Sequence, residues 1–355
     1  MLKHFRRISR FALILLTLAA TLMVSLVGST HPLKNSLRTL AQNRGIGFGT
    51  AVWVKPLSND STYQEVLARE FNMVTPENEM KFEPVHPERD RYDFKAADAL
   101  VDFAKDNNMQ VRGHTLVWHE SLPDWLTQAK WTREELMNIL QQHITEVVGH
   151  YRGQLVAWDV VNEAIADDKN DLRDTIWRRV IGPDYIEMAF RMAHEADPNV
   201  HLFYNDYGGE GLGRKSDAIY ALVKNLRQRG VPIYGVGLQM HVSLKNPPNP
   251  EQVAANIKRL NDLGLEVQIT EMDVKTFDGT GTRAQKLAAQ AQIYRNMMQV
   301  CLAAQNCKAF LLWGVGDRYS WIPRILKQPD SPLIFDESLR PKPAYSALKE
   351  VLKKR

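Results

Sequence analysis

The chain has 355 residues, 44 % of them hydrophobic and 24 % charged, an ordinary globular composition that excludes a disordered or collagen-like polymer and can bury a large core. Four of its 45 Lys and Arg residues (Lys3, Arg6, Arg7, Arg10) lie in the first 30 positions, which hold no acidic residue, so the rest of the chain balances 41 basic against 41 acidic side chains. Such a neutral body lacks the basic surplus that pairs with phosphates, which argues against a nucleic-acid binder and for a partner that is uncharged or small.

The amino-terminal segment follows the order of a secretory leader. Positive charge fills residues 1 to 10, Phe11 to Val27 form an apolar run broken only by Thr and Ser, and small residues follow at Gly28 and Ser29. The run is slightly long for a signal and slightly short for a span, so residues 1–30 are read as a signal peptide or an uncleaved N-terminal anchor. Either way the body is expected outside the cytoplasm, secreted to the extracellular space or periplasm, with a membrane attachment only if the leader stays. Residues 31–44 read as a short tether, and 45–355 as one domain.

From Gly45 onward one pattern recurs. Short β-rich runs are predicted at 45–52, 71–78, 110–118, 156–163, 201–206, 234–242, 266–274 and 309–317. Amphipathic helices are predicted between them at 94–107, 133–151, 185–196, 215–229, 250–263 and 282–304, with a closing helix at 344–353. Leu136, Ile139, Leu140, Ile144 and Val147 show the one-sided spacing. Strand and helix in alternation imply parallel strands, and eight rounds without a linker point to an α/β fold of one kind, a single (β/α)8 TIM barrel. Gly45, Gly47 and Gly49 are small residues of the first strand; they lack the third spacing and the following helix of a dinucleotide fingerprint.

Cys301 and Cys307 are the only cysteines. In an exported chain they can bridge the end of one helix to the start of the next strand; two buried free thiols are the alternative. With no Cys or His at ligand spacing nearby, no metal site is expected, and no cofactor.

The predicted strands share an asymmetry, apolar or small at the start and chemically able at the end. Strand two closes on Glu77 and Asn78, strand three carries His114 and ends at Trp118, and strand four ends at Asn162 and Glu163. Strand six offers Gln239 and His241 on the face it shares with Gly235 and Gly237; strand seven offers Glu271 and Asp273, and strand eight Trp313. Active sites of such barrels gather at the carboxyl ends of the strands. Strands four and seven stand three places apart in a ring of eight, so Glu163 and Glu271 face each other from nearly opposite walls. Two carboxyl groups across a cleft are what glycosidic cleavage requires, one to protonate the leaving oxygen and one to meet the developing oxocarbenium carbon. His241 can hold Glu271 charged and oriented, with Asp273 fixing the imidazole tautomer.

Seven stretches in order, Phe71 to Lys81 (FNMVTPENEMK), Arg112 to His119 (RGHTLVWH), Trp158 to Ala164 (WDVVNEA), Tyr204 to Tyr207 (YNDY), Gly235 to His241 (GVGLQMH), Ile269 to Asp273 (ITEMD) and Trp313 to Trp321 (WGVGDRYSW), carry a resemblance. Over residues 45 to 350 the chain resembles family 10 of the glycoside hydrolases, the endo-β-1,4-xylanases. The resemblance implies a retaining hydrolase of internal β-1,4-xylosidic bonds, with Glu163 as acid/base and Glu271 as nucleophile. It implies sugar contacts at Glu77, Asn78, Lys81, His114, Trp118, Asn162, Gln239, His241, Trp313 and Trp321, with Tyr207 on the leaving-group side. The family's usual Trp after that Lys is Phe82 here, a change expected to bear on the distal sugar subsites. Trp158 and Trp177 read as core.

The expected partner is therefore xylan or a xylo-oligosaccharide, met by a monomer with no nucleic acid. Two alternatives stay open from the sequence: a glycosidase acting on another β-1,4-glucan, and a non-catalytic carbohydrate-binding barrel. A pure binder has no use for a charged pair that it must desolvate.

Overall fold

The computed structural model describes residues 35–354; the predicted leader and the first residues of the tether, 31–34, lie outside the described residues. Nine strand segments follow one another: β1 (Gly47–Val52), β2 (Met73–Pro76), β3 (Gln110–Val117), β4 (Ala157–Asn162), β5 (His201–Asp206), β6 (Gly235–Leu238), β7 (His241–Ser243), β8 (Glu266–Lys275) and β9 (Cys307–Leu312). Their order is β6-β5-β4-β3-β2-β1-β9-β8, every pairing is parallel, and β8 pairs back onto β6 to close a ring of eight. The closed (β/α)8 barrel expected from the alternation is the fold.

The ninth segment has a local cause. The predicted sixth strand breaks at Met240, whose φ of 68° lies in the left-handed region and whose N–H turns away to the Glu210 carboxylate at 3.1 Å. The chain resumes as β7 against the upper part of β8, with His241 opposite Asp273. The break therefore brings a histidine beside a carboxylate.

Helices at Lys95–Asp106, Arg133–His150, Tyr185–Ala196, Arg214–Gln228, Pro250–Asn261, Arg283–Ala303 and Pro343–Lys353 lie where the periodicity places them. Two of them open on reciprocal capping boxes, Thr132 with Glu135 and Thr282 with Gln285, which satisfy N–H groups that the first turn leaves free. Leu136, Ile139, Leu140, Ile144 and Val147 are buried, as their spacing requires. Cys301 and Cys307 form a disulfide that ties the end of Arg283–Ala303 to the start of β9.

The tether reading needs correction from residue 36 on. Leu37–Asn43 is a helix, capped by Ser36, whose Leu37 and Ala41 are shielded from solvent; the Leu37 N–H donates to Glu70 Oε2 at 3.0 Å. It packs against Pro343–Lys353, so the folded domain begins before Gly45. Only three apolar contacts, Leu37, Leu40 and Ala41, mark it in sequence, too few for a periodic signal.

Inside the ring, Met73, Ala309 and Leu311 form a small apolar cluster. Gly49 belongs to this close packing, since a Cβ there would stand 2.8 Å from Leu311. A polar layer also crosses the interior. The wholly buried Arg112 guanidinium is bonded to Asp159, donates to Gln268 Oε1 at 2.7 Å and lies 4.4 Å from the Phe203 ring centre. Burial alone would raise the Asp159 carboxyl, but Arg112 beside it and the hydrogen bond from His114 hold it below the usual carboxylate range. The layer thus supplies a charged foundation beneath the strand ends. Among the described residues no helix is long and apolar enough to cross a membrane.

Candidate active site

Glu163 follows the last residue of β4 with φ 56°, a left-handed conformation that a non-glycine residue holds only when its surroundings impose it. Strand β5 does so. Glu163 N–H donates to the Asn205 carbonyl at 2.8 Å, and the Tyr204 hydroxyl accepts the N–H groups of Ala164 and Ile165 at 3.1 and 3.2 Å. The Glu163 carboxylate then accepts from Trp118 Nε1 at 2.8 Å on one oxygen and from Gln239 Nε2 at 2.9 Å on the other. Both donors are neutral.

Glu271, on β8, is nearly buried, at 3 % exposure. Its Oε1 accepts from Asn205 Nδ2 at 2.7 Å, and its Oε2 lies 3.1 Å from His241 Nε2. The second nitrogen of His241 stands 3.0 Å from Asp273 Oδ2, and Trp321 Nε1 donates to that same oxygen at 2.7 Å. Burial would lower the His241 pKa, yet the Asp273 charge, followed by hydrogen bonds with Asp273 and Glu271, pushes it up to about 10. Asp273 does more than fix a tautomer, as the sequence reading had it: between two carboxylates the ring is an imidazolium that donates from both nitrogens. The two glutamates thus differ in kind of donor, neutral groups at Glu163 and a cation at Glu271.

One continuous chain of hydrogen bonds links them. Gln239 Nε2 also reaches Asn162 Oδ1 at 3.3 Å, and Asn205 Nδ2 donates to the same oxygen at 2.8 Å as well as to Glu271. With its oxygen so engaged, Asn162 keeps its Nδ2 as a donor for a ligand. Asn205 is wholly buried and held in turn by Thr270 Oγ1, which donates to its Oδ1 at 2.7 Å. Gly237 makes room, since a Cβ there would fall 2.1 Å from Asn205 Oδ1.

The remaining predicted residues ring this centre. His114 is bonded through Nδ1 to Asp159 Oδ2 at 3.0 Å, and its ring meets Trp313 edge to face at 5.2 Å. Trp313 also meets the His241 ring at 6.2 Å, and Trp321 meets it at 5.3 Å, so two indoles stand over the imidazolium. Lys81 Nζ donates to Asn78 Oδ1 at 3.0 Å and lies 5.0 Å from the Trp118 ring centre. Burial pushes the Lys81 ammonium below its usual value against the pull of the Glu271, Glu77, Glu163 and Glu79 carboxylates. Tyr207 stands apart from these, its hydroxyl donating to Asp167 at 2.6 Å and accepting from Arg173 at 3.1 Å, while Lys215 lies 3.5 Å from its ring. Arg173 also donates to the Glu163 carbonyl at 3.1 Å.

Phe82, which stands where the resemblance leads one to expect a Trp beside the distal sugar subsites, is buried. It is 2 % exposed and stacks on His143 at 3.7 Å between ring centres. Trp158 and Trp177 are core as read, although the Trp177 indole N–H supports the Trp118 carbonyl at 2.8 Å. The residues that sequence reasoning left out are Asn205 and Asp159. A signal for the first was present, since alternation along β5 puts Asn205 on the same face as Phe203, which packs on Arg112 inside the barrel.

Among the described residues no cluster of His, Cys, Asp or Glu is arranged to hold a metal. The constellation consists of two carboxylates of different surroundings, hydrogen-bond donors between them and indoles above, which suits acid/base and nucleophilic work on a neutral, hydroxyl-rich substrate.

Comparison with known proteins gives the same direction. The model of the family described as glycosyl hydrolase family 10 matches residues 36–351. Endo-1,4-beta-xylanase B of Thermotoga neapolitana is 45 % identical over 338 residues, covering 94 % of this chain and 96 % of the relative. Among solved structures, native xylanase 10B from Thermotoga maritima is 46 % identical with a TM-score of 0.86, over 90 % of this chain and 98 % of that one. Xylanase 10B from Thermotoga petrophila RKU-1, solved in complex with xylobiose, gives the same identity and TM-score over 90 % of this chain and 97 % of its own.

Proposed function

The chain belongs to glycosyl hydrolase family 10, and from that premise we propose that it hydrolyses internal β-1,4-xylosidic bonds of xylan with retention of configuration, using Glu163 as acid/base and Glu271 as nucleophile. The observation that carries this division is the unlike company of the two carboxylates. Glu271 faces the His241 imidazolium, which orients the nucleophile, whereas the two groups that donate hydrogen bonds to the Glu163 carboxylate, Trp118 and Gln239, are neutral.

In the first step Glu163 gives its proton to the departing sugar's oxygen while Glu271 attacks the anomeric carbon, forming a glycosyl ester. In the second, Glu163 takes a proton from water, which displaces Glu271 and restores both groups. Asn162 donates from its Nδ2 to the 2-hydroxyl of the reacting sugar, a contact that strengthens in the transition state. Trp313 and Trp321 cover that sugar, Glu77, Asn78 and Lys81 hold the sugar beyond it, and Tyr207 takes the leaving group. An exported enzyme, carried by the residues 1–30 leader, would meet this polymer outside the cytoplasm.

Release of reducing ends from xylan, carboxymethylcellulose and mannan tests the reading. Turnover confined to or strongest on xylan is expected, and equal or faster turnover of a glucan would contradict it.

A further inference from the structure

We propose that Arg324 is a positioning residue of the cleft, reaching across from the segment that carries Trp321 to hold the Glu77 carboxylate and so setting how firmly the enzyme grips the sugar beyond the reacting one. This rests on the reading of Glu77 as a contact to that sugar.

Three loops converge on this side chain. Trp53 follows β1, Glu77 follows β2, and Arg324 lies in the short helix Trp321–Leu326 beyond β9. Arg324 stands one turn after Trp321, so the two side chains leave the same side of that helix. At one end of the turn Trp321 Nε1 is bonded to Asp273; at the other Arg324 Nη2 donates to Glu77 Oε1 at 3.0 Å. The Arg324 guanidinium also lies over the Trp53 ring, 5.0 Å from its centre, a cation–π contact. One helix turn thus connects the indole that covers the reacting sugar with the carboxylate proposed for the next one.

Glu77 needs such a partner. Its side chain is 6 % exposed while that of Arg324 is 42 % exposed, so the carboxylate is committed to the protein and the guanidinium comes to it from the solvent side. Burial pushes the Glu77 carboxyl up, Arg324 and then Lys81 draw it back, and neighbouring Glu79 works against them. Lys81 has its own hydrogen bond to Asn78, which leaves Arg324 as the direct ion-pair partner of Glu77. Without Arg324 the carboxylate would lose its orientation and protonate more readily, turning an acceptor of sugar hydroxyls partly into a donor. Neither Arg324 nor Glu77 is bonded to Glu163, Glu271 or His241, so the effect should fall on grip and not on bond cleavage.

The test compares an aryl β-xyloside, with one sugar on the donor side, and the matching aryl β-xylobioside, with two. Wild type, Glu77→Gln, Arg324→Ala, Arg324→Lys and the double variant Glu77→Gln/Arg324→Ala are assayed, with thermal unfolding to confirm that each is folded. Arg324→Ala should lower kcat/KM on the xylobioside by about tenfold relative to the xyloside, chiefly through KM, as expected for loss of a charge-assisted hydrogen bond. Arg324→Lys should recover part of that loss, and the double variant should be no worse than Glu77→Gln alone. Equal losses on both substrates would overturn the inference, because they would mean that Arg324 only supports the helix carrying Trp321. A Glu77→Gln variant with a lowered ratio beside an Arg324→Ala variant with a normal one would also overturn it. If Glu77→Gln itself left the ratio unchanged, the reading of Glu77 as a sugar contact would fall instead, and the inference with it.

Discussion

His241 stands between Glu271 and Asp273, its Nε2 3.1 Å from Glu271 Oε2 and its Nδ1 3.0 Å from Asp273 Oδ2, so that one ring joins the proposed nucleophile to a wholly buried carboxylate. The arrangement follows from the break at Met240, which sets β7 opposite the upper end of β8. A charged ring here gives Glu271 both a donor and a compensating charge in a site shielded from solvent.

The stability that this ring contributes has a defined pH dependence. The folded His241 pKa is pushed up to about 10, above its usual 6.5, so its contribution is fully present below about 6.5 and is lost as pH rises through about 10. His241→Gln should therefore be less stable than the wild type at pH 6, with the gap closing toward pH 10. Urea unfolding midpoints of both proteins at pH 6, 8 and 10 check this. A gap that widens with pH would show that the ring is neutral in the folded state.

Asn205 should prove as costly to remove as a predicted site residue. Asn205→Ala strands Glu271 Oε1 and the Thr270 hydroxyl, at about 1 to 3 kcal/mol for each unpaired buried group, and leaves Asn162 Oδ1 with Gln239 alone. Activity on xylan should fall along with the unfolding midpoint. Asn205→Asp is isosteric but sets a further carboxylate against Glu271, so its kcat should be lower still at neutral pH.

Two glycines make a contrasting pair. A Cβ at Gly237 would fall 2.1 Å from Asn205 Oδ1 and 2.9 Å from a Thr270 methyl, so Gly237→Ala should lower both Tm and kcat. A Cβ at Gly149, in the helix Arg133–His150, meets nothing within 4 Å, and Gly149→Ala should stabilise the fold by about 0.5 to 1 kcal/mol without touching kcat. Thermal unfolding and xylan kinetics of the two variants decide it.

The barrel was legible because its signals are repetitive. Strand and helix alternate, and helix boundaries such as Tyr185–Ala196 fall where the apolar spacing starts and stops. Elements that depend on one or two residues were not legible: the helix Leu37–Asn43 has too short an apolar face, and the break at Met240 rests on a tertiary bond to Glu210. In the site, the groups that project into the cleft announced themselves at strand ends, Glu163 and Glu271 among them. Asn205 and Asp159 lie beneath, meeting other side chains alone, and their importance shows only in the partners they hold. The two carboxylates flanking His241 were legible, but its charge was not, because it depends on their hydrogen-bond distances to opposite ring nitrogens.

Specificity for xylose over glucose should be steric. A glucosyl unit carries an extra hydroxymethyl group, and Trp313, at 7 % exposure between His114 and His241, has little room to move aside. A clash of this kind is worth about 1 to 3 kcal/mol, so an aryl cellobioside should be a poor but detectable substrate, slower than the matching xylobioside by roughly 10- to 200-fold. Equal rates would point to a broader β-1,4-glucanase.

The division of labour between the two glutamates is tested most directly by azide rescue of Glu163→Ala. Without its proton donor the variant should still form the glycosyl ester on Glu271 from an aryl xylobioside with a strongly acidic phenol, and then stall for want of a base. Azide needs no base and attacks the ester from the face opposite Glu271, so turnover should resume and NMR should identify the product as the β-xylobiosyl azide. Formation of the α-azide would contradict the account, since it would mean that azide had taken the place of the nucleophile and that Glu163, not Glu271, attacks the sugar.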